Sequence, residues 1–221
     1  MRNRFWKGHA LGNDYLVVDP RDLDFPLTPR RVRALCDRHR GVGGDGVPRR
    51  ARVEIGRASF DPRRLPCRLR GGELLERPIR AAGRALRFTG VSIGNPHCVV
   101  FAPRGRRWSR ADLLELGPRL ERHRSFPKHC NVQLAARTGP HALEILIWER
   151  GAGETPASGT SACAAACAAI RLGLVASPVV VRAPGGALQV TVSERFDVTL
   201  DGNVDEVASG ALAPAFVRAL R

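Results

Sequence analysis

An α/β fold, with a mixed sheet wrapped around one central buried helix, is predicted by three features of the sequence. The segment from Thr160 to Leu172 is small or apolar on every face, so a helix there has no side to offer water and must be surrounded. Its many alanines let neighbouring backbone approach closely. Strand-like segments lie both before and after it, and in the last of them Leu188, Val190 and Val192, then Phe196, Val198 and Leu200, alternate with polar residues as a hairpin does. With 221 residues and 43% hydrophobic side chains the chain can bury its own core.

The elements follow in order. Phe5 and Trp6 begin a strand that the turn-forming Gly12-Asn13-Asp14 interrupts before the β-prone Tyr15 to Val18. Thr28 before Pro29 marks a helix start, and Val32, Leu35 and Cys36 give it an i, i+3, i+4 apolar stripe that ends before Gly41. Gly41, Gly43, Gly44 and Gly46 crowd the next stretch. Residues 51 to 60 return to strand character, and 62 to 90 are punctuated by Pro and Gly with little periodicity. Val91-Ser92-Ile93 leads into the turn Gly94-Asn95-Pro96-His97, and Cys98 to Phe101 resumes as a strand. Ala111 to Leu120 reads as a helix, and Asn131 to Leu134 and Leu143 to Trp148 as strands on either side of a Gly139-Pro140 turn. Gly151 to Gly159 is a glycine-rich loop that opens the buried helix, and Val179 to Val181 precedes the closing hairpin.

Lys and Arg number 36 against 21 Asp and Glu, a formal net charge of +15. Only Lys7 and Lys128 are lysines, and the arginines are spread from Arg2 to Arg221 with concentrations at 30–40, 49–70 and 104–110. Such a distribution suits arginine standing in for lysine on solvated faces; the alternative is a dedicated phosphate-binding surface. No basic run is interleaved with aromatics, so nucleic acid is not the expected partner. Six cysteines could suggest a disulfide framework, but Cys163 and Cys167 sit four apart in the apolar helix and no spacing matches a zinc site. No metal is expected. Met1 to His9 has no apolar core of a secretory signal, and Ala162 to Ile170 is too short to span a bilayer. A reduced cytoplasmic protein without a membrane partner is the expectation.

The most specific local feature is the run from Glu149 through Arg150, Gly151 and Gly153 to Ser158-Gly159-Thr160-Ser161. A glycine-rich loop opening a helix presents unpaired N–H groups and the positive end of the helix dipole, which suits a carboxylate or phosphate. Ser158, Thr160 or Ser161 could equally be an ordinary N-cap worth about 1 kcal/mol. No Gly-Lys-Ser/Thr occurs here, so a nucleotide P-loop is not expected.

Gly12-Asn13-Asp14 with its strand, Leu35-Cys36-Asp37-Arg38-His39-Arg40-Gly41 running into Gly44-Asp45-Gly46, Val91 to Cys98, Cys130-Asn131-Val132 and Glu149 to Thr160 stand in the order seen in diaminopimelate epimerase. The chain resembles that family over nearly its whole length. The resemblance implies amino-acid isomerisation without pyridoxal phosphate or any other cofactor: one group removes the α-proton and another returns a proton to the opposite face. The family uses two cysteines at N-termini of buried helices, one from each of two pseudo-symmetric domains. By this resemblance Asn13, Asn95, Asn131, Glu149, Arg150, Gly159 and Thr160 fall at substrate-binding positions for a small, diaminopimelate-like amino acid. Apart from it, Asn13 and Asn95 read as turn asparagines and Glu149 with Arg150 as a surface ion pair.

Two departures stand out. The family's second catalytic cysteine is here Ser158, in Ala157-Ser158-Gly159-Thr160, and a hydroxyl is not ionised by a helix dipole alone. Cys163 is five residues on, more than a turn into the helix. The chain also passes from Gly46-Val47 almost directly to Ala51 to Gly56, which resembles the opening strand of the family's second domain. The first catalytic loop is missing, and Cys67, in Pro66-Cys67-Arg68-Leu69, has no suitable context. The expected organisation is a truncated first domain over 1–50, a complete second domain over 51–206 and a tail over 207–221 returning toward the first. Tyr15 to Val18 and the Val32 to Cys36 helix are expected to have little to pack on. Exposed strand edges there leave room for a homodimer. Three functional readings follow: an epimerase-like isomerase, an inactive, binding-only or serine-dependent descendant (racemase or dehydratase), and, as outsider, a basic nucleic-acid-associated protein.

Overall fold

The computed structural model describes residues 2–10, 13–43, 50–203 and 205–221. Gly12 and the junction from Gly44 to Val47 lie outside the described residues, as does the side chain of Asn13. The elements in chain order are β1 (Arg4–Ala10), β2 (Asn13–Val18), α1 (Pro29–Cys36), β3 (Arg50–Arg57), β4 (Arg77–Ala81), β5 (Arg84–Ser92) and β6 (Pro96–Phe101). They continue with α2 (Arg110–Glu121), β7 (Asn131–Gly139), β8 (Ala142–Glu149), β9 (Gly153–Thr155) and α3 (Gly159–Arg171). The last are β10 (Val179–Ala183), β11 (Gly186–Val192), β12 (Asp197–Asn203), β13 (Asp205–Ala211) and α4 (Pro214–Leu220). The chain divides into two compact units, one of residues 1–51 with 202–221 and one of 52–201.

In the larger unit a mixed sheet runs in the order β3-β12-β11-β10-β8-β7-β6-β5-β4, with β9 added to β8. The β6–β7 and β8–β10 pairs are parallel, and β7–β8 and β10–β11 antiparallel. Strands from β5 to β11 surround α3, in which every residue from Ser161 to Ala169 is buried. This is the arrangement that a helix without a polar face requires. Alternation along each strand assigns the two faces. Val99 of β6, Ala135 of β7 and Leu143, Ile145 and Ile147 of β8 join the core around α3. Cys98 and Val100, Val132 and Leu134, and Leu146 and Trp148 face the second core with α2.

α2 is begun by a reciprocal cap: the Ser109 hydroxyl accepts from Asp112 N at 3.1 Å and the Asp112 carboxylate accepts from Ser109 N at 2.9 Å. The paired part of the hairpin of β4 and β5, residues 77–88, falls within 62–90, where periodicity gave no strand. Its polar positions are arginines, and its two-residue turn places Ala82 and Gly83 at φ 50° and 74°, a geometry usually advertised by Asn-Gly.

The smaller unit is an antiparallel sheet in the order β13-β1-β2. Thr28 caps α1 by accepting from Arg31 N at 3.4 Å. Contrary to the expectation of little to pack on, Leu16, Leu23, Phe25 and Leu35 share a buried cluster with Leu212, Val217 and Leu220. The C-terminal segment supplies what the sequence reading lacked, because β13 pairs with β1 and α4 brings its apolar side chains along. Buried Asn3, at φ 58°, ties the pieces: its backbone carbonyl accepts from Leu212 N at 2.9 Å and its side chain bonds Asp24 in both directions.

The contact of α2 with β8 is close enough to test. A Cβ on Gly117 would lie 2.8 Å from Trp148 Cγ and Cδ2. Gly117→Ala is expected to lower stability by about 1–3 kcal/mol through overpacking, read from urea unfolding; unchanged stability would mean that α2 does not rest on Trp148.

Candidate functional site

The N-terminus of α3 is delivered by a loop held on two sides. At the β8 end, buried Glu121 of α2 accepts from Trp148 Nε1 at 2.9 Å and from Gly151 N at 3.0 Å, fixing the turn after Arg150. Nearer the helix, Gly185 N donates to Pro156 O at 2.7 Å, and a Cβ on Gly185 would come within 3.0 Å of that oxygen. A side chain there would have to push that backbone aside by a few tenths of an ångström.

Ser158 is the N-cap of α3, with extended backbone (φ −159°, ψ 125°), yet its side chain makes no capping bond. The first turn contains no acidic residue either. α1 and α2, by contrast, are both capped by side chains. The leading amides of α3 and the positive end of its dipole are therefore left without a counter-group from the helix itself.

Around this helix end the neighbouring strands place neutral polar groups. Asn95 Nδ2 donates to Thr160 Oγ1 at 3.4 Å, and Asn95 Oδ1 is 2.8 Å from His97 Nε2. Asn131 Nδ2 donates to Pro96 O at 3.3 Å, while its Oδ1 accepts from Arg150 N at 2.9 Å. Gln133 Nε2 donates to Ser161 Oγ at 2.9 Å. His97, Gln133 and Ser161 are fully buried.

With Asn95 donating to Thr160 through its nitrogen, its oxygen must accept, so the His97 proton sits on Nε2 and Nδ1 is an acceptor. His97 Nδ1 and Gln133 Oε1 lack partners, although Gln133 interacts with the His97 ring. Turning the Gln133 amide over resolves both: its NH₂ then donates to His97 Nδ1 and its oxygen accepts from the Ser161 hydroxyl. Burial holds the His97 pKa down at about 3, with the positive charge of Arg150 acting in the same direction. The imidazole is neutral.

The structure thus brings Asn95, Asn131, Gly159 and Thr160 to one end of α3, with Ser158 half-buried at its start. Among the described residues no base is bonded to the Ser158 hydroxyl. Cys163 is fully buried, and burial pushes its thiol up to about 12; Cys167, beside it, is raised further. Glu149 is half-buried at the end of β8 and makes no ion pair with exposed Arg150, whose guanidinium instead donates to Lys128 O at 3.4 Å. Asn13 begins β2 in the other unit. Sequence reasoning did not select His97, Gln133 or Glu121, and took Ser161 only as a possible N-cap. The available signal was polarity in strand: Gln133 lies between Val132 and Leu134, and His97 between Pro96 and Cys98. Among the described residues no group of His, Cys, Asp or Glu is suited to a metal ion.

A buried neutral histidine makes stability depend on pH. Because the folded pKa of His97 lies below the unfolded 6.5, the unfolded chain binds a proton that the folded chain refuses between about pH 6.5 and 3. Stability is then full above pH 6.5 and falls as the pH drops through that window, by about 1.4 kcal/mol per unit. Asp112, held at about 2 by Arg84, contributes its own loss only at lower pH. Urea midpoints are expected to fall from pH 6.5 to 4.5, and His97→Gln to remove most of that fall; an unaltered slope would contradict the buried neutral imidazole.

Comparison with known proteins bears on the lineage and the fold. The profile of the diaminopimelate epimerase family matches residues 89–206, which hold β6 to β12 and the whole cluster at α3. The diaminopimelate epimerase of Sphingopyxis alaskensis is 32% identical over 266 aligned positions covering 95% of this chain and 97% of that protein. Diaminopimelate epimerase 2 of a Nostoc species is 29% identical over 275 positions covering 95% of each. Among solved structures, a predicted epimerase from Pseudomonas aeruginosa matches with TM-score 0.50 and 16% identity, covering 95% of this chain and 99% of that one. A probable proline racemase from Agrobacterium radiobacter matches with TM-score 0.51 and 12% identity over 97% and 95%. The two structures share the fold, and the sequence matches carry the lineage: the chain belongs to the diaminopimelate epimerase family.

Proposed function

We propose that this chain is, by lineage, a pyridoxal-phosphate-independent amino-acid isomerase of the diaminopimelate type, which holds its substrate at the N-terminus of α3 and is impaired in proton transfer. The observation that carries the substrate reading is the uncapped α3 terminus ringed by Asn95, Asn131 and Thr160. Free amides at a positive dipole end suit an α-carboxylate, and that contact also acidifies the α-proton by stabilising carbanionic charge. Asn131, bonded through its side chain to Arg150 N, would hold the Glu149-Arg150 corner for the zwitterionic ends of the substrate. The role belongs to cytoplasmic lysine and diaminopimelate biosynthesis in this reading.

The impaired step rests on Ser158. A hydroxyl at a helix N-terminus remains protonated at neutral pH, whereas a thiol there is shifted toward thiolate. The opposite-face group is the second shortfall. An alignment of 275 positions against a chain of 221 residues leaves at least 54 positions without a residue here, which supports a missing first-domain segment after Val47. A binding-only descendant is the second reading, favoured by the same Ser158 hydroxyl without a base.

Calorimetric titration with diaminopimelate, paired with α-proton exchange in deuterium oxide followed by NMR, tests the assignment. Binding is expected in the wild type. Ser158→Cys is expected to raise exchange by about 10²–10⁴-fold, the usual worth of a positioned proton-transfer group, without inversion of the α-carbon. Wild-type exchange equal to that of the variant would show Ser158 to be a competent base, and absence of binding would overturn the substrate reading.

A further inference from the structure

A site of different chemistry lies at the other end of α3. The start of β5, the end of β6, the 102–109 loop, the end of β7 and Gly173-Leu174 beyond α3 enclose a cleft of about 1110 Å³. A 13-residue helix is about 20 Å long, so the cleft is separate from the cluster at Ser158. Six arginines line it, Arg84, Arg87, Arg104, Arg106, Arg107 and Arg137, against two acids, Glu76 and Asp112, a lining charge of +4.

The pairing of these charges is uneven. Arg84 bonds Asp112 at 2.7 Å and Arg107 bonds Glu144 at 2.7 Å, while Arg87 donates to the Glu76 carbonyl at 2.8 Å. Arg104, Arg106 and Arg137 are exposed and have no acidic partner among the described residues. They come from two separate segments of chain, the 102–109 loop and β7, so sequence proximity alone does not account for their convergence. Trp108, also lining the cleft, is anchored by Nε1 donating to Val100 O at 3.3 Å, and the Arg84 guanidinium lies 5.3 Å from its ring centroid. That cation–π contact and the Asp112 bond fix Arg84 in place.

We propose that this cleft binds an oligophosphate anion, either as a free phosphate chain or as the tail of a nucleotide. Guanidinium forks match phosphate oxygens in pairs, and three unpaired forks on two segments call for charge repeated along a ligand rather than a single carboxylate. The volume lies just above the usual range for small-molecule sites, about 300–1,000 Å³, which leaves room for an extended ligand. Arg84 stands over the Trp108 ring, so the phosphate chain is the part of the ligand that the arginines recognise.

Equilibrium titration at about 0.15 M salt, where exposed charges farther apart than about 8 Å are screened, tests the site with sodium tripolyphosphate, magnesium-free ATP and citrate as probes. Saturable binding of tripolyphosphate and ATP, both tighter than citrate, is expected. Combining Arg104→Ala, Arg106→Ala and Arg137→Ala should weaken it at least about tenfold, since each removes a charged hydrogen-bond donor. A control combining Arg64→Ala, Arg124→Ala and Arg182→Ala, exposed residues outside the cleft, should leave it unchanged. Equal affinity for tripolyphosphate and ATP identifies the phosphate chain alone as the ligand, and tighter ATP identifies a nucleotide; both support the site. Equal weakening by the two triple variants, or no saturation, would show diffuse attraction to a chain of net charge +15 and overturn it.

Discussion

The constraint on which the larger unit depends is that α3 has no face fit for water. Nine consecutive buried residues, mostly alanine, leave strands as the surroundings that can approach closely on all sides. The sheet therefore curls, and its strands must bury one face against α3 while α2 covers part of the other. A helix enclosed along its length meets solvent only at its two ends. Each end of α3 has accordingly become a place where polar side chains from several strands converge, neutral at the start and cationic beyond the finish.

The start of α3 illustrates how a buried polar cluster is made tolerable. Burying His97, Gln133 and Ser161 without partners would cost several kcal/mol, and the cost is contained because each can bond the next. The same accounting explains why the cluster carries no net charge of its own: an imidazolium at this depth would have no anion to answer it, and Arg150 nearby makes matters worse. What remains uncompensated is the helix end. The N-terminal amides and dipole are a positive feature supplied by backbone, with Arg150 the nearby charged side chain.

The central helix and the strands flanking it were legible because their signals are local: the all-apolar segment from Thr160, the alternation from Leu188 to Leu200, the glycine-rich loop before Ser158. The β4–β5 hairpin was not, since Arg77 and Arg84 stand on its inward side and Pro78 and Ala85 on its exposed side, which breaks the alternation, and Ala82 occupied a turn position where glycine or asparagine is the usual mark. At the site, Asn95 and Thr160 were readable from the resemblance. Their partners were not, because nothing in the residue order shows that β6 runs beside β7 and brings His97 opposite Asn131. The arginine cleft was hidden for the same reason: scattered in sequence, Arg84, Arg104 and Arg137 meet only after the strands pair.

The closing of the smaller unit by β13 and α4 also sets an order of events. Residues 52–201 form a unit with its own cores and can fold as soon as they have left the ribosome. Leu16, Phe25 and Leu35 are made before that unit, yet they find Leu212, Val217 and Leu220 only once residues 205–220 have been synthesised after it. A segment made before the larger unit is thus completed after it, and until then its apolar side chains and the edge of β1 that β13 covers lack their partners.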